Sequence, residues 1–394
     1  MWFFNDEQRM LQDSVRQFAH AELAPKIEHL DETEGFNQAS FAKMGDLGLH
    51  GILVREADGG SELGCVAATI AMEEMGAVDA STALSYLAHS VLCINQIANN
   101  GSKEQRTRLL PPLLAGTKLG GMGMSEPEAG SDALGMKTRA KKDGAHYVID
   151  GTKTWITNGP IGDVFYIYAK TGPEKRDVST FLIERGMKGF STGKKFQKMG
   201  MRASPTGELV FDGVRVPESA RVGDEGASVR MMMRNLDIER ITIAGISLGI
   251  ARASIDAAVK YARERKQFGK PIGAFQQVQE RIAEASARYE AARALTYQTA
   301  HVWDLAVASG VERPLQAIKE ASAMAARAKL VAAQFATEIA LDAIQILGGF
   351  GYTREFPVER YMRDAKLMEI GAGTNEVMRL IVARQLLGSE VADA

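Results

Sequence analysis

The hydrophobic and polar residues change their spacing twice along the 394-residue chain. From Asp6 to about Lys118, apolar residues recur at helical intervals, and one long helical segment is predicted from Gly64 to Ile97. The run LLPPLL at 109–114 is expected to break the helical pattern, because proline lacks the amide hydrogen that a helix interior uses. The first region is therefore predicted to be helical.

The spacing becomes two between about Gly120 and Arg221, which predicts β-strands. The segment HYVIDGTKTWITNG is predicted to form two strands joined by a type I′ turn at Asp150-Gly151. Further strands are predicted for DVFYIYAKT, VSTFLIER and GELVFDGVRVP. Several antiparallel strands in about 100 residues favour a small barrel or sandwich.

Helical spacing returns from about Gly226 onward. One predicted helical face carries the apolar residues Phe275, Val278, Ile282, Ala285 and Tyr289. Three or four long, alanine-rich helices up to about residue 347 predict an antiparallel bundle. The predicted fold is α+β multidomain, with an N-terminal helical domain (1–119), a central β domain (120–225) and a C-terminal helical bundle (226–394). A doubly wound sheet is not expected, because strands and helices do not alternate.

Composition and charge exclude several classes of protein. The chain has 47 Lys and Arg against 49 Asp and Glu, a net charge of −2, so capture of nucleic acid is not expected. Cys65 and Cys93 lack the spacing of a zinc site or of a disulfide framework. The first residues show neither a basic region nor an apolar stretch, and no apolar run of about 18 residues is evident. A cytoplasmic protein without a membrane span is therefore expected.

Common catalytic motifs are absent or incomplete in the sequence. Neither glycine-rich phosphate loop occurs, and the six histidines are scattered without metal-ligand spacing, so no metal site is predicted. The run GISLG at 245–249 matches the nucleophile elbow of hydrolases, but its predicted surroundings are helical. Ser247 is therefore expected to mark close packing between helices.

Two segments of the central region carry residues that suit a flat ligand. The segment MGMSEPEAGSD (122–132) combines small residues with hydroxyl groups, and WITNG (155–159) offers an aromatic face and a hydroxyl. Regular alternation along a strand would put Trp155 and Thr157 on the same side.

Two segments of the C-terminal region carry residues that suit phosphate groups. The segment YARERKQFGKPIGAFQ (261–276) places Arg265 at a predicted helix end, close to Phe268-Gly269. The segment that begins QILGGFGY (345–352) contains three glycines, which would let the backbone approach a pyrophosphate.

Together and in this order, the four segments resemble the acyl-CoA dehydrogenase family, and the resemblance extends from about residue 5 to residue 388. It implies an N-terminal helical domain, a central β-barrel and a C-terminal four-helix bundle. It also implies one FAD per subunit, a homotetramer, an acyl-CoA substrate and an electron-transferring flavoprotein as electron acceptor.

The resemblance assigns residues to the cofactor. The isoalloxazine would be held by Met122, Met124, Ser125, Gly130, Ser131, Trp155, Ile156 and Thr157. Within that set, Thr157 would bond near the reactive nitrogen. The pyrophosphate and adenine half of a neighbouring subunit's FAD would be held by Arg265, Phe268, Gln276, Gln345, Ile346, Leu347, Gly348 and Gly349. The adenosine portion would be met by Thr374, Asn375 and Glu376.

The catalytic base is where this sequence departs from most of the family it resembles. Most members carry a glutamate in a C-terminal E-G-T motif, whereas this chain has Ala372 followed by Gly373-Thr374. Isovaleryl-CoA dehydrogenases and long-chain relatives carry the base within L-D-x-E-R on the first long helix of the C-terminal domain. This chain has LDIER at 236–240, so the resemblance assigns the base to Glu239. The apolar helix around Glu239 is expected to desolvate the carboxylate and strengthen it as a base.

The same branch of the family implies the substrate, a short branched acyl-CoA and most directly isovaleryl-CoA, oxidised to the 2-enoyl-CoA in leucine or fatty acid metabolism. The backbone N–H of Ala372 is expected to bind the thioester oxygen. Substrate contacts are expected at Ser131, Arg230, Asp237, Ile238, Arg240, Ala372 and Gly373. Arg230 replaces an aromatic residue of that branch, which leaves the acyl group open.

Three alternatives remain at this point. The first is the same reaction on another acyl-CoA. The second is an oxidase or desulfinase of the same family, which the missing glutamate at 372 motivates. The third is a flavoprotein that binds acyl-CoA without turning it over.

Overall fold

The computed structural model describes residues 4–308, 315–388 and 391 of the chain. The first region folds into helices α1 (Asp6–Phe18), α2 (Ile27–Thr33), α3 (Gln38–Asp46), α4 (Gly64–Gly76), α5 (Ala80–His89), α6 (Asn95–Asn100) and α7 (Lys103–Leu114). The predicted long helix over 64–97 is thus divided, since the chain turns between α4 and α5. Asp79 begins α5 by accepting a hydrogen bond from the amide of Thr82 at 3.1 Å.

The run LLPPLL does not break a helix as predicted. Pro111 and Pro112 lie inside the last turn of α7, which ends only at Leu114. The chain reverses two residues later at Gly116, whose φ of +67° is left-handed. The helix ends after the two prolines rather than at them, because a proline near a helix end removes few intrahelical hydrogen bonds.

The second region forms one eight-stranded sheet. Its strands are β1 (Gly120–Gly123), β2 (Arg139–Asp143), β3 (His146–Thr157), β4 (Val164–Lys170), β5 (Val178–Glu184), β6 (Phe190–Lys195), β7 (Thr206–Pro217) and β8 (Arg221–Val222). They are ordered β6-β7-β3-β2-β4-β5-β8, and β1 pairs with β4 in parallel. One face of strands β2 to β7 packs into a single apolar cluster, which includes Ala140, Tyr147, Phe165, Phe181, Phe190 and Phe211.

The predicted turn at Asp150-Gly151 is wrong, because β3 runs straight through these residues. The register between β3 and β7 shifts at Gly151, which marks a β-bulge. A Cβ at Gly151 would lie 2.5 Å from Thr138 Oγ1, so the absence of a side chain at Gly151 lets the backbone of β3 pack closely against Thr138. The actual hairpin between β2 and β3 turns at Gly144-Ala145, with Asp143 paired to His146.

The third region begins with helix α8 (Ser228–Glu264) and continues through β9 (Lys266–Gln267), β10 (Lys270–Pro271), α9 (Gln276–Ala308), α10 (Leu315–Leu347), α11 (Val358–Met368) and α12 (Asn375–Leu387). The long helices pack against one another, and α12 and α11 lie against α10. The predicted apolar face of α9 is confirmed, since Ala285 is buried in the main core and Tyr289 packs against it.

Two helical segments have the length and hydropathy of a membrane span, Ser228–Glu264 and Glu320–Tyr352. In the first, 78% of the apolar window is buried inside the protein, and in the second 44%. Length and hydropathy alone therefore do not make α8 a membrane span, because most of its apolar residues belong to the protein core.

Helices α4 and α8 pack with almost no space between their backbones. A Cβ at Gly249 would lie 2.5 Å from the backbone oxygen of Glu73, and one at Gly245 would lie 2.8 Å from that of Thr69. Ser247 is buried between these glycines and donates to the carbonyl of Ile243 at 3.3 Å. The interpretation of GISLG as a packing motif rather than a nucleophile elbow is confirmed.

Gly249→Ala should destabilise the protein by about 1–3 kcal/mol, because the methyl group would force two backbones apart. Lys260→Ala, an exposed change on the same helix, is the matched control. Thermal unfolding of the two variants measures the difference. Equal midpoints would show that α8 can move away from α4 without loss.

Candidate active site

The two segments predicted to bind the isoalloxazine lie side by side. The amide of Thr154 donates to the carbonyl of Ser125 at 2.9 Å, which joins the loop after β1 to strand β3. The predicted residues on the first segment are half-buried or exposed, namely Met122, Met124, Ser125, Gly130 and Ser131. A Cβ at Gly130 would meet nothing within 4 Å, so this part of the loop is open to a ligand.

Trp155 stands out from strand β3 with 63% of its surface exposed. Its φ is +60°, and the register with β7 shifts between Lys153 and Ile156, so regular alternation does not apply at this point. Ile156 is buried in the sheet core, Thr157 is half-buried, and the indole lies 4.5 Å from the ring of Phe196. The strand thus presents a large aromatic face beside the Ser125 loop. The regular alternation predicted for Trp155 and Thr157 does not hold here.

A buried ion pair, which the sequence did not reveal, holds this loop from beneath. Lys153 is fully buried and its Nζ donates to Glu126 Oε1 at 2.8 Å and to the carbonyl of Met124 at 3.1 Å. The Glu126 carboxylate also accepts the backbone amides of Lys137 and Thr138. Burial lowers the pKa of Lys153 to about 8, and Glu126 opposes that shift. The pair fixes both ends of the loop to β3.

Arg265 and the glycine-rich segment after α10 line one cleft of about 520 Å³, together with Ile346, Leu347, Gly349 and Phe350. The Arg265 guanidinium lies 5.6 Å from the centre of the Phe350 ring. Cβ atoms at Gly348 and Gly349 would meet nothing within 4 Å, so their backbone is open to a ligand. The structure brings this predicted phosphate site together from α8 and α10.

Other residues predicted for the same half of the cofactor lie apart from that cleft. Phe268 is 92% exposed on the tip of the β9–β10 hairpin, where it and Gly269 both have positive φ. Gln276 is exposed at the start of α9, and Gln345 lines a neighbouring cleft. These side chains thus lie apart from the Arg265 cleft, and their assignment to a neighbouring subunit's ligand stays a prediction.

The segment Thr374–Glu376 begins helix α12. Thr374 caps the helix by accepting the amide of Val377 at 3.2 Å, and Glu376 is exposed. Asn375 is instead buried, and its Oδ1 accepts a hydrogen bond from Lys329 at 3.1 Å. The three residues predicted to meet the adenosine therefore face different surroundings.

Glu239 is the most unusual carboxyl group of the site. Only 8% of the residue is exposed, and its Oε2 has no hydrogen-bond partner among the described residues. Burial raises its pKa to about 7, while the charges of Arg240 and Lys329 act in the opposite direction. The predicted desolvation of this carboxyl group is confirmed.

The turn at Ala372-Gly373 lies beside the two cations that act on Glu239. Both residues have positive φ, +55° and +85°, so the chain reverses sharply here. Lys329 is buried, and its Nζ donates to the carbonyl of Gly373 at 2.8 Å. A Cβ at Gly373 would lie 3.9 Å from Arg240 Nη2. Lys329 and Arg240 thus connect this turn electrostatically to the Glu239 carboxylate.

The residues flanking Glu239 are mostly engaged with the protein itself. Asp237 accepts Arg240 Nη1 at 3.0 Å and the Ser322 hydroxyl at 2.8 Å. Ile238 is buried in the main core. Arg240 is thus bound to Asp237, and no bond from it to Glu239 occurs among the described residues. Of the other predicted substrate residues, Ser131 and Arg230 are exposed.

Two lysines that matter to the site were missed in the sequence. Lys329 is a single cation on an alanine-rich face of α10, and Lys153 is a cation on an inward position of β3. Each position would be apolar in a simple pattern. A charged residue at a position expected to be apolar could have indicated a buried ion pair or hydrogen bond. The partner of each lysine lies far away in the sequence, so the fold is needed to identify it.

Models of three protein-family domains match successive parts of the chain. The N-terminal domain of acyl-CoA dehydrogenase matches residues 5–117, the middle domain 121–214 and the C-terminal domain 226–387.

Curated relatives match over nearly the whole length. Isovaleryl-CoA dehydrogenase of Arabidopsis thaliana is 42% identical over 391 residues, covering 98% of this chain and 93% of the relative. A 2-methylacyl-CoA dehydrogenase of Solanum tuberosum is 41% identical over 386 residues, covering 97% of this chain and 91% of the relative.

Solved structures share the fold. Butyryl-CoA dehydrogenase of Megasphaera elsdenii matches with a TM-score of 0.92 at 36% identity, covering 98% of this chain and 99% of that one. A chain from a study of the electron-transferring flavoprotein of Acidaminococcus fermentans matches at 0.93 and 38%, covering 99% and 100%. A glutaryl-CoA dehydrogenase of Mycobacterium smegmatis in complex with FADH2 matches at 0.90 and 29%, covering 98% and 96%. The chain therefore belongs to the acyl-CoA dehydrogenase family.

Proposed function

We propose that this protein is an FAD-dependent acyl-CoA dehydrogenase in which Glu239 removes the α proton of a short branched acyl-CoA. The observation that carries the proposal is the Glu239 carboxyl group, which is buried and has one oxygen without a partner among the described residues. It is acted on by Lys329, the cation that binds the Ala372-Gly373 turn. At that turn, most of the family has a glutamate. A base supplied from α8 compensates for its absence.

The surroundings of Glu239 suit a base that works near neutral pH. A pKa of about 7 lets the carboxylate be ionised in the resting protein and accept a proton when the substrate presents one. Burial strengthens the base, and Lys329 and Arg240 keep part of it ionised. The backbone N–H of Ala372 would donate to the thioester oxygen as the α carbon loses its proton.

The residues present fit FAD. The open backbone at Gly130 and the exposed indole of Trp155 supply a flat face for the subunit's own FAD. The cleft between Arg265 and Gly349 supplies a phosphate cradle for the FAD of a neighbouring subunit. The residues that would hold the isoalloxazine and the pyrophosphate are those assigned above. When bound, FAD supplies the acceptor for the β hydrogen, which leaves as hydride. The role of the chain is to orient the acyl group between Glu239 and the Trp155 face.

The relatives support a short or branched acyl-CoA, with isovaleryl-CoA as the leading substrate. Transfer of electrons to an electron-transferring flavoprotein is supported by the structural match from the study of such a flavoprotein. A homotetramer is proposed as well, because the family resemblance implies one and assigns the exposed Phe268 and Gln276 to a neighbouring subunit's FAD. The cytoplasmic location remains a prediction.

Glu239→Gln should slow flavin reduction by isovaleryl-CoA by at least about 10²–10⁴-fold, because the amide cannot accept the α proton. Anaerobic stopped-flow bleaching of the visible flavin band measures this step. Asp256→Asn, an exposed acid-to-amide change on the same helix, should keep the wild-type rate. Near-native bleaching in Glu239→Gln would overturn the base assignment. Peroxide formed in stoichiometric amounts without an added acceptor would favour an oxidase instead.

Lys329→Met should shift the acid limb of the pH profile of flavin reduction upward by about one pH unit. In the wild type, reduction should rise with pH through about 7, because only the ionised Glu239 accepts a proton. Removing the Lys329 cation raises the Glu239 pKa further, so a higher pH is needed. In Lys329→Arg, which keeps the positive charge, the acid limb should lie near its wild-type position. In the control Lys260→Met, the acid limb should not move. A limb that stays fixed in Lys329→Met would contradict the coupling.

Lys153→Met should lower the flavin content of the purified protein and its thermal stability, because Glu126 would be left as a buried charge without its cation. Breaking such a pair costs about 3–5 kcal/mol. Lys141→Met, an exposed change on the paired strand β2, is the control. Flavin absorbance per chain and the unfolding midpoint are the measurements. Wild-type values for both in Lys153→Met would show that the ion pair does not hold the loop.

A further inference from the structure

A group of polar side chains lies inside the apolar cluster that adjoins Glu239. Gln96 on α6, Asn235 on α8 and Tyr168 on β4 are 4%, 1% and 0% exposed. Their neighbours in that cluster include Met122, Met232 and Leu236. Polar groups buried at this depth are expected to be fully hydrogen-bonded.

The two amides bind each other but leave hydrogen-bond capacity unused. Gln96 Nε2 donates to Asn235 Oδ1 at 2.7 Å, and Asn100 Nδ2 donates to Gln96 Oε1 at 3.1 Å. The Asn235 amide nitrogen lies 3.1 Å from the sulfur of Met122, which is a weak acceptor. The oxygens of the pair are therefore occupied, while donor hydrogens of Asn235 lack a strong acceptor.

The Tyr168 hydroxyl adds a second donor. It has no hydrogen-bond partner in the described part of the chain, and neither has the hydroxyl of Tyr166, whose ring lies 5.7 Å away. Alternation along β4 turns both tyrosines toward the helices, whereas Phe165 and Ile167 fill the sheet core. Burial raises the pKa of Tyr168 well above its ordinary value, Tyr166 and the Glu239 charge raise it further, and the neighbouring Asn235 amide opposes the shift, so the phenol stays protonated.

These donors lie near Glu239, whose charge acts on Tyr168. Asn235 precedes Glu239 by four residues on α8, so the two side chains share a face about 6 Å apart along the helix axis. Asn235 also contacts Met122, which belongs to the loop assigned to the isoalloxazine. An acyl group held between Glu239 and that loop would point its far end toward the amide pair.

We propose that Gln96, Asn235 and Tyr168 form a subsite for the distal end of the acyl group, and that, among acyl-CoAs long enough to reach it, the enzyme prefers one with a neutral keto or hydroxyl oxygen at that end. The inference rests on the proposed function and refines its substrate. A purely apolar chain that reaches the subsite would leave the donors unpaired.

The test compares two acyl-CoAs of matched shape, 5-oxohexanoyl-CoA and 5-methylhexanoyl-CoA, as reductants of the flavin in the purified holoenzyme without oxygen. We expect the oxo compound to give a second-order rate constant of reduction at least about tenfold higher. In Tyr168→Phe and in Asn235→Ala, the ratio of the two rate constants should fall toward one. Tyr147→Phe removes a hydroxyl that bonds Glu225 in the turn before α8, and it should keep the wild-type ratio.

Comparing the ratio in the wild type with the ratio in the variants distinguishes an effect of the subsite from an intrinsic difference in reactivity between the two compounds. An intrinsic difference would persist in the variants. Equal rate constants in the wild type, or a preference for the methyl compound, would overturn the subsite while leaving the dehydrogenase intact. So would a wild-type ratio retained in both variants. Failure of these compounds and of isovaleryl-CoA to reduce the flavin would instead overturn the proposed function, and the subsite with it.

Discussion

Burial of the Glu239 carboxyl group is the constraint around which the site is organised. A carboxylate in an apolar helix is costly unless it is paired, yet one oxygen of Glu239 has no partner in the described chain. The two cations that act on it are each bound elsewhere, Arg240 to Asp237 and Lys329 to Gly373 and Asn375. The carboxyl group is therefore near two positive charges that are hydrogen-bonded to other residues. It can ionise under their influence and still accept a proton.

The rest of the fold supplies the rigidity that this arrangement needs. Close contact at Gly245 and Gly249 locks α8 against α4, so the helix carrying Glu239 cannot relax toward water. On the opposite side, the Lys153–Glu126 pair ties the loop after β1 to β3, and the Gln96–Asn235 bond joins α6 to α8. Three regions of sequence thus meet at one site through buried polar contacts set in apolar surroundings.

Much of this could be predicted from the sequence, and the failures have physical causes. The order of helices, strands and helices follows from the spacing of apolar residues, and the desolvation of Glu239 follows from its apolar neighbours. The turn at Asp150-Gly151 failed because a glycine that permits a hairpin also permits a β-bulge beside Thr138. Lys153, Lys329 and the Gln96–Asn235 pair were missed because each partner lies far away in sequence. Local patterns report burial well, whereas the pairing of buried polar groups depends on tertiary structure.

The central claim, that Glu239 removes the α proton, is tested most directly by hydrogen exchange rather than by turnover. Isovaleryl-CoA is incubated with the flavin-loaded protein in D2O without oxygen, and deuterium at the α carbon is followed by NMR. The account predicts incorporation in the wild type and essentially none in Glu239→Gln, because the amide cannot accept the α proton. Exchange at the wild-type rate in Glu239→Gln would contradict it.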